Sequence, residues 1–197
     1  MKHSISTLLD LNISHQTTPP KMANATSTLL LSPLFTTLLL LLIHPSSSTA
    51  VHRRSALSSQ AFIAEILTSH NTLRARLYLP PLQWSQQLAS YARWWANQRK
   101  GDCAMIHSTS NYGENIFWGQ GGDWTATEAV EAWEAEDAYY NYGSNTCMPN
   151  RDCTHYTQMV WRGTTSVGCA KVKCYDGDTF IVCEYAPHGN IYGLRPY

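Results

Sequence analysis

Residues 51–197 hold five histidines, and two of them stand in apolar helical surroundings. His70 falls on a stripe of Phe62, Ile63, Ile66, Leu67, Leu73 and Leu77, which recur at three- and four-residue intervals. His155 opens the run His155-Tyr156-Thr157-Gln158-Met159-Val160-Trp161. Two carboxylates could join them. Glu114 is embedded in a Gly/Asn/aromatic segment, an odd place for a solvated charge, and Glu136 follows Trp133 by three residues and shares its helical face. Two imidazoles and two carboxylates in one place would bind a divalent metal or form acid–base pairs. Taken singly, these residues also fit plainer roles. The histidines would be core residues satisfied by one hydrogen bond each, and Glu136 a surface charge among Glu128, Glu131, Glu134 and Asp137. Spacing alone does not show that the four converge.

The elements that must position them follow from periodicity and punctuation. Residues 51–58 read as a loose arm, and a helix begins at Ser59 and stops before Pro80-Pro81. Ser85 is the N-cap of a second helix, whose inward stripe is Leu88, Tyr91, Ala92, Trp95 and Ala96 and whose end is Gly101. A glycine-rich aromatic loop runs from Tyr112 to Gly122. Thr125-Ala126-Thr127-Glu128 then has the capping-box pattern and opens a third helix with Ala129, Val130 and Trp133 inward. His155–Trp161 reads as a short helix. Val167–Lys173 and Thr179–Tyr185 read as a hairpin turning at Asp176-Gly177-Asp178. Helices first, with antiparallel strands interleaved and last, predict an α+β fold.

The six cysteines, Cys103, Cys147, Cys153, Cys169, Cys174 and Cys183, all lie beyond residue 50. An even count in an exported domain predicts three disulfides, chosen from 15 pairings. Cys169 and Cys183 stand symmetrically about Asp176, as a cross-strand bridge requires. Export itself is predicted by residues 1–50. The apolar run Leu34–Ile43 is short for a membrane span, Lys21 precedes it, and Ser48 and Ala50 occupy the small-residue positions of a cleavage site; Met22 is an alternative start. The chain has 197 residues, with 14 Lys+Arg against 14 Asp+Glu and zero formal net charge. Without Lys2, Lys21 and Asp10, 12 basic and 13 acidic residues remain in 51–197. That balance excludes a polybasic nucleic-acid binder, and the length suits one domain.

Several strings, taken together, carry a family resemblance. They are His70-Asn71 with Arg74, Pro81-Leu82-Gln83-Trp84, Gly101-Asp102-Cys103 with His107-Ser108, Tyr112-Gly113-Glu114-Asn115-Ile116, Trp133 with Glu136, Cys153-Thr154-His155-Tyr156-Thr157-Gln158-Met159-Val160-Trp161, and Val167-Gly168-Cys169-Ala170. In these the chain resembles the CAP superfamily, and within it the plant pathogenesis-related class 1 proteins, over roughly residues 58–197. The resemblance implies a three-layer α-β-α sandwich with a central antiparallel sheet, spanning 59–197. It implies disulfides Cys103–Cys174, Cys147–Cys153 and Cys169–Cys183. It also implies a cleft tetrad, carried over as His70, Glu114, Glu136 and His155, able to take a divalent metal such as zinc, though no cofactor is required. Thr154 stands where the family has glycine, Glu184 where it has asparagine, and Ala186 where aspartate is common.

The function so implied is a secreted, apoplastic, monomeric plant defence protein that binds sterols or related lipids with antimicrobial effect. Phe117, Trp118 and Trp124, around the glycine-rich loop, are the expected lipid-binding residues. Two alternatives stand beside it. One is a precursor whose tail Pro187–Tyr197 is released as a signalling peptide by a protease cutting between Ala186 and Pro187. The other is a metal-dependent hydrolase using the tetrad. Commitment of the cysteines to bridges weighs against a thiol nucleophile in such an enzyme. No nucleic-acid partner is expected, and no membrane-spanning segment once the leader is removed.

Overall fold

The computed structural model describes residues 47–197. Helix α1 (Ser47–Arg76) leads into β1 (Gln83–Trp84) and α2 (Gln86–Gln98). Then come β2 (Gly113–Gly119), α3 (Ala126–Glu134), a 3₁₀ turn (Ala135–Tyr139), and the short pair β3 (Tyr140–Asn141) and β4 (Thr146–Cys147). Helix α4 (Thr154–Met159) and the hairpin β5 (Ser166–Lys173) and β6 (Thr179–Ala186) complete the chain. The leader predicted for 1–50 lies almost wholly outside the described residues. Residues 51–58, expected as an arm, are instead part of α1. Nothing between Ser47 and Arg76 is Gly or Pro, so no residue there halts the helix before Arg76.

The main sheet has the order β1-β5-β6-β2. Its long pairs are antiparallel, and only the two-residue β1 runs parallel to β5. Strand β6 is central, and Thr179 to Tyr185 are buried on both faces. Helix α2 covers one face, with Ala92 and Ala96 against Ile116, Ala170, Phe180 and Val182. On the other face Ile66, Val130, Trp133, Tyr156 and Met159 from α1, α3 and α4 close over Ile181, Cys183 and Tyr185. This is the α-β-α sandwich. Gly168 sets how closely α2 sits: a Cβ there would lie 2.2 Å from the Ala89 backbone nitrogen and 2.5 Å from the Ser85 oxygen.

Both predicted caps form. Ser85 accepts from the Leu88 N–H, and Thr125 and Glu128 close the capping box of α3. The three disulfides pair as the resemblance implies. Cys169 and Cys183 are direct neighbours in the β5/β6 register, 4.1 Å apart at Cα. The Tyr112–Gly122 segment differs from its reading as a loop, because Gly113–Gly119 is a strand. Its edge pairs along seven residues of β6, and Ile116 is buried beneath α2.

Candidate functional site

Two carboxylate–imidazole pairs form the polar centre. The 3₁₀ turn after α3 presents Glu136 to the first turn of α4. One Glu136 oxygen accepts from His155 Nδ1 at 2.7 Å, and the other accepts the backbone N–H groups of His155 (3.1 Å) and Tyr156 (3.2 Å). Glu136 therefore fixes the imidazole and also satisfies orphan donors at the start of α4. The Trp133 indole stacks on the His155 ring with centroids 6.2 Å apart, and it is anchored by donating to the Ile116 carbonyl.

The second pair is Glu114 with His107. Glu114 Oε1 accepts from His107 Nδ1 at 2.6 Å and from the Ser108 N–H at 2.9 Å. The bond to Glu114 pushes the His107 imidazole upward from its ordinary pKa. Burial pushes Glu114 up, but the hydrogen bonds from His107 and Ser108, together with Glu184, outweigh it and hold the group low. Asp152, bonded by the Thr154 N–H and hydroxyl, acts electrostatically on both His107 and His155. The Thr154 hydroxyl thus has a partner in the loop that the Cys147–Cys153 bridge closes.

His70 is not part of this arrangement. It is fully buried, and both ring nitrogens are spent. The Ile66 carbonyl, 2.8 Å from Nδ1, can only accept, so Nδ1 carries the proton. Nε2 then accepts from the Tyr185 hydroxyl at 2.8 Å. His70 is the packed core histidine that its apolar stripe allowed, and the imidazole beside Glu114 is His107. Burial lowers His70 to about 4. The unfolded chain binds this proton below about pH 6.5 while the native state refuses it. Stability from His70 is therefore complete above about pH 6.5 and is lost as pH falls toward 4, by up to roughly 3 kcal/mol. Urea unfolding between pH 7 and 4 should show this slope, and His70→Phe should flatten it; an unchanged slope would remove His70 as its source.

Each carboxylate is occupied at Nδ1 of its histidine, so the atoms left to bind a metal are the two Nε2 lone pairs. This is the carboxylate–histidine arrangement found behind metal-bound imidazoles. The His107 side chain is 63% exposed, which leaves its Nε2 accessible. Among the described residues, the one group of three donors lying within 4.8 Å of one another is Cys103, Cys174 and Asp176, and its two sulfurs are joined in a disulfide. His107 and His155, each backed by a carboxylate, are the imidazoles that a divalent metal at either pair would use.

The three expected lipid-loop aromatics do not share a face. Phe117 and Trp118 are consecutive in β2 and so point to opposite sides. Phe117 packs on the core beneath α1 and α3 and touches Trp124, ring centroids 5.6 Å apart. Trp118 donates to Asp178 on the far side, and the Trp124 indole is held by the Gln120 and Gly121 carbonyls. A cavity of about 990 Å³ lies between α1, α2 and β5, and the loop of Trp124 contributes Asp123 and Thr125 to its lining. Its apolar wall includes Phe62, Ile63, Trp84 and Val172. The Trp84 indole nitrogen is buried with no acceptor, a signal that sequence reading did not register.

The tail is tied down along its length. The Ala186 carbonyl accepts from the Thr165 N–H (3.1 Å), and Pro187 from the Thr164 hydroxyl (2.8 Å). Gly189 donates to Gln158 (2.8 Å), and Asn190 accepts from the Thr157 hydroxyl (2.7 Å). Arg195 bonds the Tyr142 carbonyl, and Tyr197 stacks on the Tyr142 ring. The Ala186–Pro187 junction is the end of a paired strand, opposite Ser166.

Comparison with known proteins agrees with this architecture. The family model described as CAP, cysteine-rich secretory protein family, matches residues 67–185, and the chain belongs to that family. It is 48% identical to pathogenesis-related protein PR-1 of Medicago truncatula over 165 residues, 83% of this chain and 95% of the relative. It is 47% identical to pathogenesis-related protein PRMS of Zea mays, over 77% and 90% of the two chains. Among solved structures it is similar to Schistosoma mansoni venom allergen-like protein 4, with TM-score 0.55, 30% identity, and 67% and 90% covered. It is also similar to NaASP2, crystallised with Zn2+, at TM-score 0.56 and 26% identity, with 68% and 83% covered. Among the described residues no helix is long and apolar enough to cross a membrane.

Proposed function

We propose that this chain is a secreted plant defence protein that takes up a sterol or a lipid of similar size. The similarity to plant pathogenesis-related proteins supports the defence role, and the predicted leader and three disulfides support export. The observation that carries the ligand class is the cavity between α1, α2 and β5. Its volume of about 990 Å³ lies near the upper end of small-molecule sites, and its lining sets apolar Phe62, Ile63 and Val172 beside the charged Glu65, Arg93, Lys171 and Lys173, as an amphipathic lipid would need. The Trp84 ring adds aromatic surface to that lining. Such binding would withhold sterol from an organism that must import it. Zinc on His107 or His155 would add a cation at the polar centre and is not needed for the lipid.

The test is binding of a fluorescent sterol to oxidised protein, with and without a chelator. Saturable binding that survives chelation is expected. Trp84→Ala, which removes the ring from the lining, should weaken it about tenfold. Trp124→Ala beside the cavity should weaken it, and Trp118→Ala on the opposite face should not. Binding indifferent to Trp84 and Trp124 would exclude this cavity.

A further inference from the structure

Glu184 is a fully buried carboxyl group in the central strand, directly opposite Glu114 in the β2/β6 register. The Glu114 side chain is only 6% exposed. Across that pairing the two carboxyls act on each other electrostatically. Each has one buried oxygen, Glu114 Oε2 and Glu184 Oε1, without a hydrogen-bond partner. The remaining oxygens are used. Glu114 Oε1 takes His107 and the Ser108 N–H, and Glu184 Oε2 accepts from the Ser110 hydroxyl at 3.4 Å. Two ionised carboxylates cannot share such a place, since both would be acceptors and like charges would face each other without water.

We propose that Glu184 is a positioning residue: it is held as a carboxylic acid whose proton lies between Glu184 Oε1 and Glu114 Oε2. The pair then carries one negative charge. That charge is directed at His107 Nδ1, so Glu184 keeps Glu114 ionised, aims it, and leaves the His107 Nε2 lone pair facing outward. The direction of titration agrees. Burial, with the charge of Glu114, pushes Glu184 up to about 9, while Glu114 is held low. The groups facing the pair are few. Ser110 comes from the preceding loop, and β5 offers Gly168 opposite Glu184, against which α2 seats Ser85, Leu88 and Ala89. None of these carries a charge, and the remaining polar neighbour is the His107 imidazole on the other Glu114 oxygen. In the resembled motif an asparagine stands at this position. An amide would donate to Glu114 without a titrating proton, whereas glutamate can donate only when protonated. The arrangement holds whatever the cavity binds.

Infrared spectroscopy of the whole oxidised protein at neutral pH reads the proton directly. A buried carboxylic-acid C=O band is expected in the unaltered chain and should vanish in Glu184→Gln and Glu184→Asn, which keep a donor toward Glu114. Imidazole nitrogen NMR should show His107 as the Nδ1–H tautomer in the unaltered chain and in Glu184→Gln. In Glu184→Ala, where the donor is gone, that single tautomer should give way to a mixture. Absence of the acid band, its persistence in Glu184→Gln, or metal analysis finding a cation bound between the carboxyls would overturn the proposal. An unchanged His107 tautomer in Glu184→Ala would overturn the positioning role. If Glu184→Ala does not fold, the infrared comparison of the other chains still decides the matter.

Discussion

Replacing Arg74 by methionine is expected to remove about 3–5 kcal/mol of stability, read as a fall in the urea midpoint at constant slope. The Arg74 side chain is fully buried. Its guanidinium donates to four backbone carbonyls: Pro80 (2.8 Å), Met159 (2.9 Å), Trp161 (2.9 Å) and Thr164 (3.1 Å). These belong to the chain after α1 and to the turn joining α4 to β5, so one side chain ties the end of α1 to the base of the hairpin. Methionine fills much of the volume but leaves four carbonyls in a dry place without donors, and bonds to charged groups are the stronger ones. Arg74→Lys should recover only part of the loss, because an ammonium has no planar fork to span four separated acceptors. A loss below about 1 kcal/mol for the methionine variant would mean that water reaches these carbonyls.

The second large effect concerns Cys103–Cys174, which joins residues 71 apart. In the chain-entropy model, closing a loop of that length stabilises the fold by about 4 kcal/mol, against about 2 for the six-residue separation of Cys147–Cys153. Cys103→Ala/Cys174→Ala should therefore lower the unfolding midpoint roughly twice as far as Cys147→Ala/Cys153→Ala. The shorter bridge has a different task. It closes the loop that carries Asp152 and leads straight into α4, so its removal should disturb His155 more than global stability. Imidazole NMR beside thermal unfolding would separate the two, and an equal loss of stability from both bridges would contradict the entropic account.

Much of the scaffold was legible in the sequence because its signals are local. The Ser85 and Thr125 caps, the 3.6-residue stripes of α1 and α3, and the cysteines placed symmetrically about Asp176 each act within a few residues. Strand β2 was not legible. Gly113-Glu114-Asn115 has the composition of a loop, and it is held extended only by its partner β6, sixty to seventy residues later. The site was half legible. Glu114, Glu136 and His155, named from the sequence, do stand in carboxylate–imidazole pairs, but His70 was grouped with them because an imidazole on an apolar stripe offers the same chemistry on paper. The fold spends that imidazole on Ile66 and Tyr185. His107 lies outside any helix or strand, and although Gly101-Asp102-Cys103 with His107-Ser108 was among the strings carrying the resemblance, no local periodicity gave it a place in the site. Glu184 was visible as a departure from the resembled motif, yet its meaning required the register that sets it beside Glu114.

The fastening of the C-terminal eleven residues has a consequence for timing. Their first peptide bond ends a strand, and their last side chain is stacked against Tyr142, so a cut at Ala186–Pro187 alone would leave the segment held by the bonds of Gly189 and Asn190 and by that ring contact. Any message carried by that segment would become readable only after its parent had begun to come apart. It would report the wear of a defence already deployed rather than its arrival.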